Sequence, residues 1–211
     1  MLKKGGLFLS TVLVAFLILF ASVLKAASVN YSFYPQKTPD NTSPSVSPMP
    51  DTSYYFGYPG SVLPDSSLWY LKALRDKVWL TLTVDSGKKA ELALLMSDKR
   101  LMMSKILFDR KKFELGYSTL TKGEKYLQMA SEIDQNNRNK GADTASFELK
   151  LASASLKHRE IIEQQILPLA PEDAKPGIIQ TLNYAKNAYT DMSNVLQAKG
   201  MVAPISPFKN N

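Results

Sequence analysis

Residues 176–200 read PGIIQTLNYAKNAYTDMSNVLQAKG. Ile178, Leu182, Ala185, Tyr189, Met192 and Leu196 recur there at alternating spacings of four and three. Such a seam belongs to a helix packed against helical neighbours, because residues about 3.5 apart stay on one side of a helix. Pro176 suits a first turn, where a missing N–H costs nothing, and Gly200 suits the position after a last turn, where left-handed backbone is favoured. The segment predicts a helix that begins near Glu172 or Pro176 and stops at Gly200, with a loose tail from 200 to 211.

The same period runs upstream. Phe147, Leu151, Ala154, His158, Ile161 and Gln165 lie on one stripe of a helix expected from Asp143 to Ile166. Asp143 or Thr144 can cap it, and Pro168 and Pro171 close it. Phe113 to Ile133 forms another segment, with Leu127, Ala130 and Ile133 on its apolar side. Gly116 and Gly123 weaken its first half, each by about 1 kcal/mol relative to Ala. A polar break follows at Asn136–Gly141.

A long helix is expected from Lys88 to Lys111, after Asp85-Ser86-Gly87. Leu92, Leu95, Met96, Met102, Met103 and Ile106 form its apolar side. A Met-rich face can serve as an adaptable binding surface, but at this spacing we read it as core. The first helix starts at Pro64-Asp65-Ser66-Ser67, where any of the three polar residues can cap. Leu68, Leu71, Leu74, Val78 and Leu82 then follow at helical spacing, with Trp69 and Trp79 nearby. That apolar density predicts a well-buried helix, whose end is weakened by the β-branched residues of Thr81–Val84. No segment reads as a strand and no repeat of fixed period occurs. The fold class is therefore all-α, an antiparallel bundle of four to five helices over residues 59–199.

Lys3 and Lys4 precede Leu7–Leu24, an uncharged and mostly apolar run of 18 residues. A positive flank before such a run marks residues 1–27 as a signal peptide or a signal anchor, with the remainder sent outside the cytoplasm. At 1.5 Å per residue the run spans roughly 27 Å, which suits either fate. Cleavage after Ala26 places Leu24, and cleavage after Ala27 places Lys25, where a small residue is wanted, so a retained anchor stands level with slow cleavage. Residues 28–58 form a Pro/Ser/Thr-rich linker, and KTPDNTSPSVSPMPDTS (37–53) lacks the apolar surface to offset its ordering entropy. Its prolines favour extended backbone, giving a semi-stiff disordered spacer between membrane and domain. Asn41-Thr42-Ser43 matches a glycosylation acceptor, which we read as chance in such a composition. Tyr54, Tyr55, Phe56 and Tyr58 end the linker and are expected to pack on the following domain or to sit at a membrane interface.

The 211 residues carry a formal charge of +7, with a single His and no Cys. Without Lys3, Lys4 and Lys25, 23 basic residues face 19 acidic ones. The excess is mild and dispersed, so no nucleic-acid footprint is expected. The missing Cys excludes a thiol nucleophile, thiolate zinc and Cys-bound clusters, and leaves the core alone to hold the domain. His158-Arg159-Glu160 lacks the second His of a zinc-protease helix, and His158 reads as a satisfied helix residue. Gly87-Lys88-Lys89 lacks the remainder of a phosphate loop. Glu91, Asp98, Glu114, Glu124, Glu132 and Glu148 alternate with Lys and Arg, which reads as an exposed charged face with no pair singled out for hydrolysis. We expect no catalytic residues, no cofactor and no metal.

One stretch is similar to a known family. Pro59-Gly60-x-x-Leu63-Pro64-Asp65-Ser66 leads into Leu68-x-x-Leu71-Lys72-x-Leu74-Arg75-Asp76. Lys88-Lys89-Ala90-Glu91-Leu92, Asp98-Lys99-Arg100-Leu101 and Thr119 to Leu127 follow. Over about Pro59–Ala130 this resembles the bacterial family called domain of unknown function 5667. The resemblance implies an exported or anchored helical protein and carries no activity onto these residues. The expectation is an extracytoplasmic, non-enzymatic interaction or structural module of the cell envelope. Its partners would be the membrane, through Leu7–Leu24 if uncleaved, and an envelope protein or wall polymer. A ligand-binding sensor and a cell-wall hydrolase are the alternatives.

Overall fold

The computed structural model describes Ile18 and residues 54–208. The rest of the expected export segment and the 37–53 spacer lie outside the described residues. Those described form an all-helical bundle without strands, with α1 Trp69–Leu82, α2 Ser86–Asp109, α3 Phe113–Asn139, α4 Ala145–Ile161 and α5 Lys175–Ala198. Among them, no helix is long and apolar enough to cross a membrane.

Helices α2 and α3 form the closest hairpin, and glycine and serine explain why. Ser97 Oγ donates to the Gly123 carbonyl at 2.8 Å, and Ser104 Oγ donates to the Gly116 carbonyl at 2.8 Å. Both pairs are seven residues apart on their helices, so they repeat along one antiparallel seam. A Cβ on Gly116 would lie 2.8 Å from the Phe108 ring, and one on Gly123 would lie 3.3 Å from the Leu101 backbone nitrogen. The glycines lower helix propensity but permit the two backbones to approach, and α3 runs unbroken through both. It also continues through most of the expected polar break, stopping at Asn139 before the left-handed Gly141.

Helices α4 and α5 pack on this hairpin and on each other. Every seam residue of α5 is buried except Tyr189, which is half-buried. α4 departs from the expected single helix at its end. Pro168 has no N–H to offer Gln164, and the chain widens into a π-turn at Ile162–Ile166 before tightening into a 3₁₀ turn at Leu167–Leu169. The core falls into two clusters. One gathers Leu94, Leu127, Leu151, Ala185, Met192 and Leu196 with small residues between, and the other gathers Leu101, Phe108, Leu120, Ile162, Ile166 and Ile178.

Two expectations are corrected. α1 is not buried: Leu68, Leu71, Leu74 and Leu82 are each at least half exposed, and Asp76 is its sole buried residue. The periodicity was real, but among the described residues no helix lies over that face. Nor is the tail loose through Phe208. Gly200 terminates α5 with positive φ, and Met201 and Ala203 then return onto the core. Tyr189 donates to the Pro204 carbonyl at 2.8 Å, and Arg159 sits 4.3 Å over the Phe208 ring.

Candidate functional site

Between the two apolar clusters lies a layer of buried charge. His158 of α4 is fully buried and reaches both carboxylates that face it. Its Nε2 lies 3.0 Å from Asp98 Oδ1 on α2, and its Nδ1 lies 2.7 Å from Glu124 Oε1 on α3. Tyr54 donates its hydroxyl to the other Asp98 oxygen at 2.7 Å. Phe56 covers the imidazole edge-on with centroids 5.3 Å apart, and Tyr54 stands edge-on to Phe56. The aromatic residues before α1 therefore seal the layer from one side.

An imidazole with a carboxylate at each nitrogen is best matched as imidazolium, since both nitrogens must then donate. Burial opposes the charge, but Glu124 and Asp98 outweigh it and push the His158 pKa up to about 9. Burial and the Asp98 charge push the Tyr54 phenol far above its ordinary value, so it stays a donor. Glu124 Oε2 has no hydrogen-bond partner. Chemically the layer is closed. Both His158 nitrogens are engaged, so no lone pair is left to act as a base, and the carboxylates face opposite sides of the ring instead of converging. Among the described residues, no group of three or more His, Cys, Asp or Glu side chains is arranged to hold a metal ion. What the layer does is fix register: sliding α4 by a turn would strand three buried charges.

A second ionic net closes the other end of the bundle. Glu148 is buried and accepts from Lys199 at 2.6 Å and from Thr144 at 2.9 Å, with Arg138 at 3.3 Å. Arg138 also donates to buried Asp134 at 2.9 Å. Burial raises the Asp134 pKa despite Arg138, and its Oδ1 has no partner.

Asp98, Glu124 and Glu148 are thus corrected from an exposed charged face to buried partners, while Glu91, Glu114 and Glu132 are exposed as expected. A signal for this existed. Asp98 lies four residues after Leu94 and three before Leu101, and Glu124 lies likewise between Leu120 and Leu127. Carboxylates at those spacings occupy core positions. The Met-rich side of α2 is core, with Met96 and Met103 buried. A cleft of about 400 Å³ runs between α5 and the tail past Tyr189, Asn194 and Phe208 and touches none of the buried carboxylates.

The surface feature that remains is α1. It is held from its inner side, where Arg100 lies 4.9 Å from the Trp69 ring and 5.5 Å from Tyr126. Lys72 donates to the Pro59 and Val62 carbonyls at 3.0 and 2.9 Å, and its partial burial lowers its pKa to about 8. Asp65 pairs with Lys112 at 2.7 Å and Arg110 at 3.2 Å in the α2–α3 loop instead of capping the helix. Outward, Leu71, Leu74, Val78 and Leu82 form a continuous stripe with Leu68 and Tyr70 beside it.

The family described as domain of unknown function (DUF5667) matches residues 61–170, more than half of the 211. The match extends past the stretch that carried the resemblance, through all of α4, and so includes Asp98, Glu124 and His158 but not Tyr54 or α5. No curated protein and no solved structure matches the chain.

Proposed function

This chain belongs to the domain of unknown function 5667 family, and we propose that it is a non-enzymatic interaction module of the bacterial cell envelope, docking through α1. The observation that carries this reading is the exposed stripe of Leu71, Leu74, Val78 and Leu82. A bundle helix normally turns such a stripe inward. Here both core clusters close almost wholly without α1, with Leu80 its contribution, and among the described residues its outer face is left exposed. Contiguous exposed apolar surface rimmed by polar residues is the usual mark of an interaction site. The sealed carboxylates support the non-enzymatic part, because a hydrolase needs its acid and base open to substrate. The N-terminal apolar run and the basic flank before it support an envelope location.

The test is site-specific photo-crosslinking in intact cells. A benzophenone amino acid at Leu71 should give a discrete adduct, and one at exposed Asn187 on α5 should not. If no stripe position yields an adduct with protein, wall polymer, lipid or a second copy, the reading fails.

A further inference from the structure

We propose that the outer face of α1 docks on an anionic lipid surface. This rests on the reading of α1 as an interaction face and names what covers it. Three observations choose lipid. The first is the placing of cations around the stripe. At its N-terminal end stands the loop Arg110-Lys111-Lys112, brought there by Asp65. Two of those cations share the one carboxylate, and Lys111 beside them is exposed. Lys77 is exposed along the flank, and Lys88 is exposed just past the C-terminal end. An apolar stripe bracketed by cations is the pattern of a helix lying in a membrane interface, its stripe at the acyl boundary and its cations at the headgroups.

The second is charge asymmetry along the fold. Residues 54–112, which hold α1, α2 and the basic loop, carry 11 basic and 6 acidic residues. Residues 113–208 carry 10 Lys and Arg and 11 acidic residues. An anionic surface therefore attracts the molecule by the half that bears α1 and is indifferent to the other. A second copy of the chain would instead bring two net-positive faces together.

The third is where the chain comes from. Residues 1–53 precede Tyr54, and α1 is the first helix after it. If Leu7–Leu24 is held in a bilayer, the fate that stands level with cleavage, the 26 residues of 28–53 tether Tyr54 within roughly 80 Å of it even at about 3.1 Å per residue. The bundle is then confined near lipid at high effective concentration, so weak attraction suffices for persistent docking. Tyr55 and Tyr58, in the segment that leads into α1, are both exposed, and tyrosine suits the headgroup level.

The experiment uses the full chain in proteoliposomes. Because it has no Cys, Leu74→Cys or Asn187→Cys accepts a single environment-sensitive label. Lipids brominated on the acyl chain serve as quencher, in vesicles of phosphatidylglycerol or of phosphatidylcholine. The expected result is quenching at position 74 several-fold stronger than at 187 in phosphatidylglycerol, and at least halved by about 0.5 M salt, where the Debye length is short. Lys77→Glu with Lys111→Glu should remove the preference for phosphatidylglycerol while leaving the circular dichroism unchanged. Equal quenching at 74 and 187, or equal quenching in both lipids without salt dependence, overturns the proposal. No quenching, with pyrene excimers forming between copies labelled at 74, assigns the face to a second copy; lipid docking then fails while the interaction reading stands. No quenching, no excimer and no photo-adduct would end both.

Discussion

Raising the pH from 6.5 to 8 should destabilise the bundle, and His158 should carry the loss. The folded state holds the His158 proton up to a pKa of about 9, whereas an unfolded chain releases it near 6.5. Between those values the folded state binds more protons, so stability falls as the pH rises. Below 6.5 the contribution is complete, and above 9 it is gone. One pKa unit corresponds to about 1.36 kcal/mol, so roughly 2 kcal/mol should disappear by pH 8 and roughly 3 kcal/mol by pH 9. The window up to pH 8 is the clean one. Above it Lys72, with its pKa lowered to about 8, contributes with the opposite sign, because there the unfolded state binds more protons.

Urea unfolding of the full chain in detergent, followed by circular dichroism at half-unit steps of pH, measures the slope. His158→Gln should be less stable by roughly 3–5 kcal/mol at pH 6, since Asp98 and Glu124 lose their buried cation, and its slope should vanish. As the chain has one His, a single set of ¹⁵N imidazole resonances reports the midpoint directly. A midpoint at or below 6.5, or the same slope in the wild type and His158→Gln, would refute the imidazolium reading.

Three further outcomes follow from the packing. Gly116→Ala should lower stability by roughly 1–2 kcal/mol in urea titrations, because overpacking against Phe108 exceeds the helix-propensity gain of about 1 kcal/mol. Asp134→Asn should raise the melting temperature at pH 7, since burial penalises that charge; the gain should shrink as acid protonates Asp134 in the wild type, and a pH-independent effect would contradict the cause. Lys111 has φ 59°, a left-handed conformation that costs a non-glycine residue roughly 1 kcal/mol, so Lys111→Gly should stabilise by several tenths to about 1 kcal/mol, read as a higher urea midpoint.

Periodicity made the helices legible, and least ambiguously α5, because its seam alternates without interruption. It could not show which stripes are covered. Leu71, Leu74, Val78 and Leu82 share a face in the sequence as plainly as the α5 residues do, but whether a neighbour lies over that face is a tertiary fact. The buried charges were obscured for a different reason. Reading Asp98, Glu124 and Glu148 as members of an alternating charge pattern ignored the leucines at i−4 and i+3 that put two of them in the core. The partner of those two carboxylates, His158, lies 34 and 60 residues further along, a pairing no local pattern reveals. Gly116 and Gly123 were visible as a cost, and their compensation became clear only once Ser97 and Ser104 stood across the seam.

The aromatic strap before α1 gives the bundle a point of mechanical weakness that lies deep inside it. Tension on the chain ahead of Tyr54 is borne first by the Tyr54–Asp98 hydrogen bond and the Phe56 contact on His158, then by the grip of Lys72 on the Pro59 and Val62 carbonyls. Peeling residues 54–62 releases roughly 30 Å of chain without unwinding a helix. Yet it admits water to the charged layer that keeps the helices in register. A pulling experiment on residue 53 should therefore record a short early extension, followed by a bundle that yields at lower force than one pulled from α5. A tethered protein built this way would convert load on its leash into hydration of its own centre.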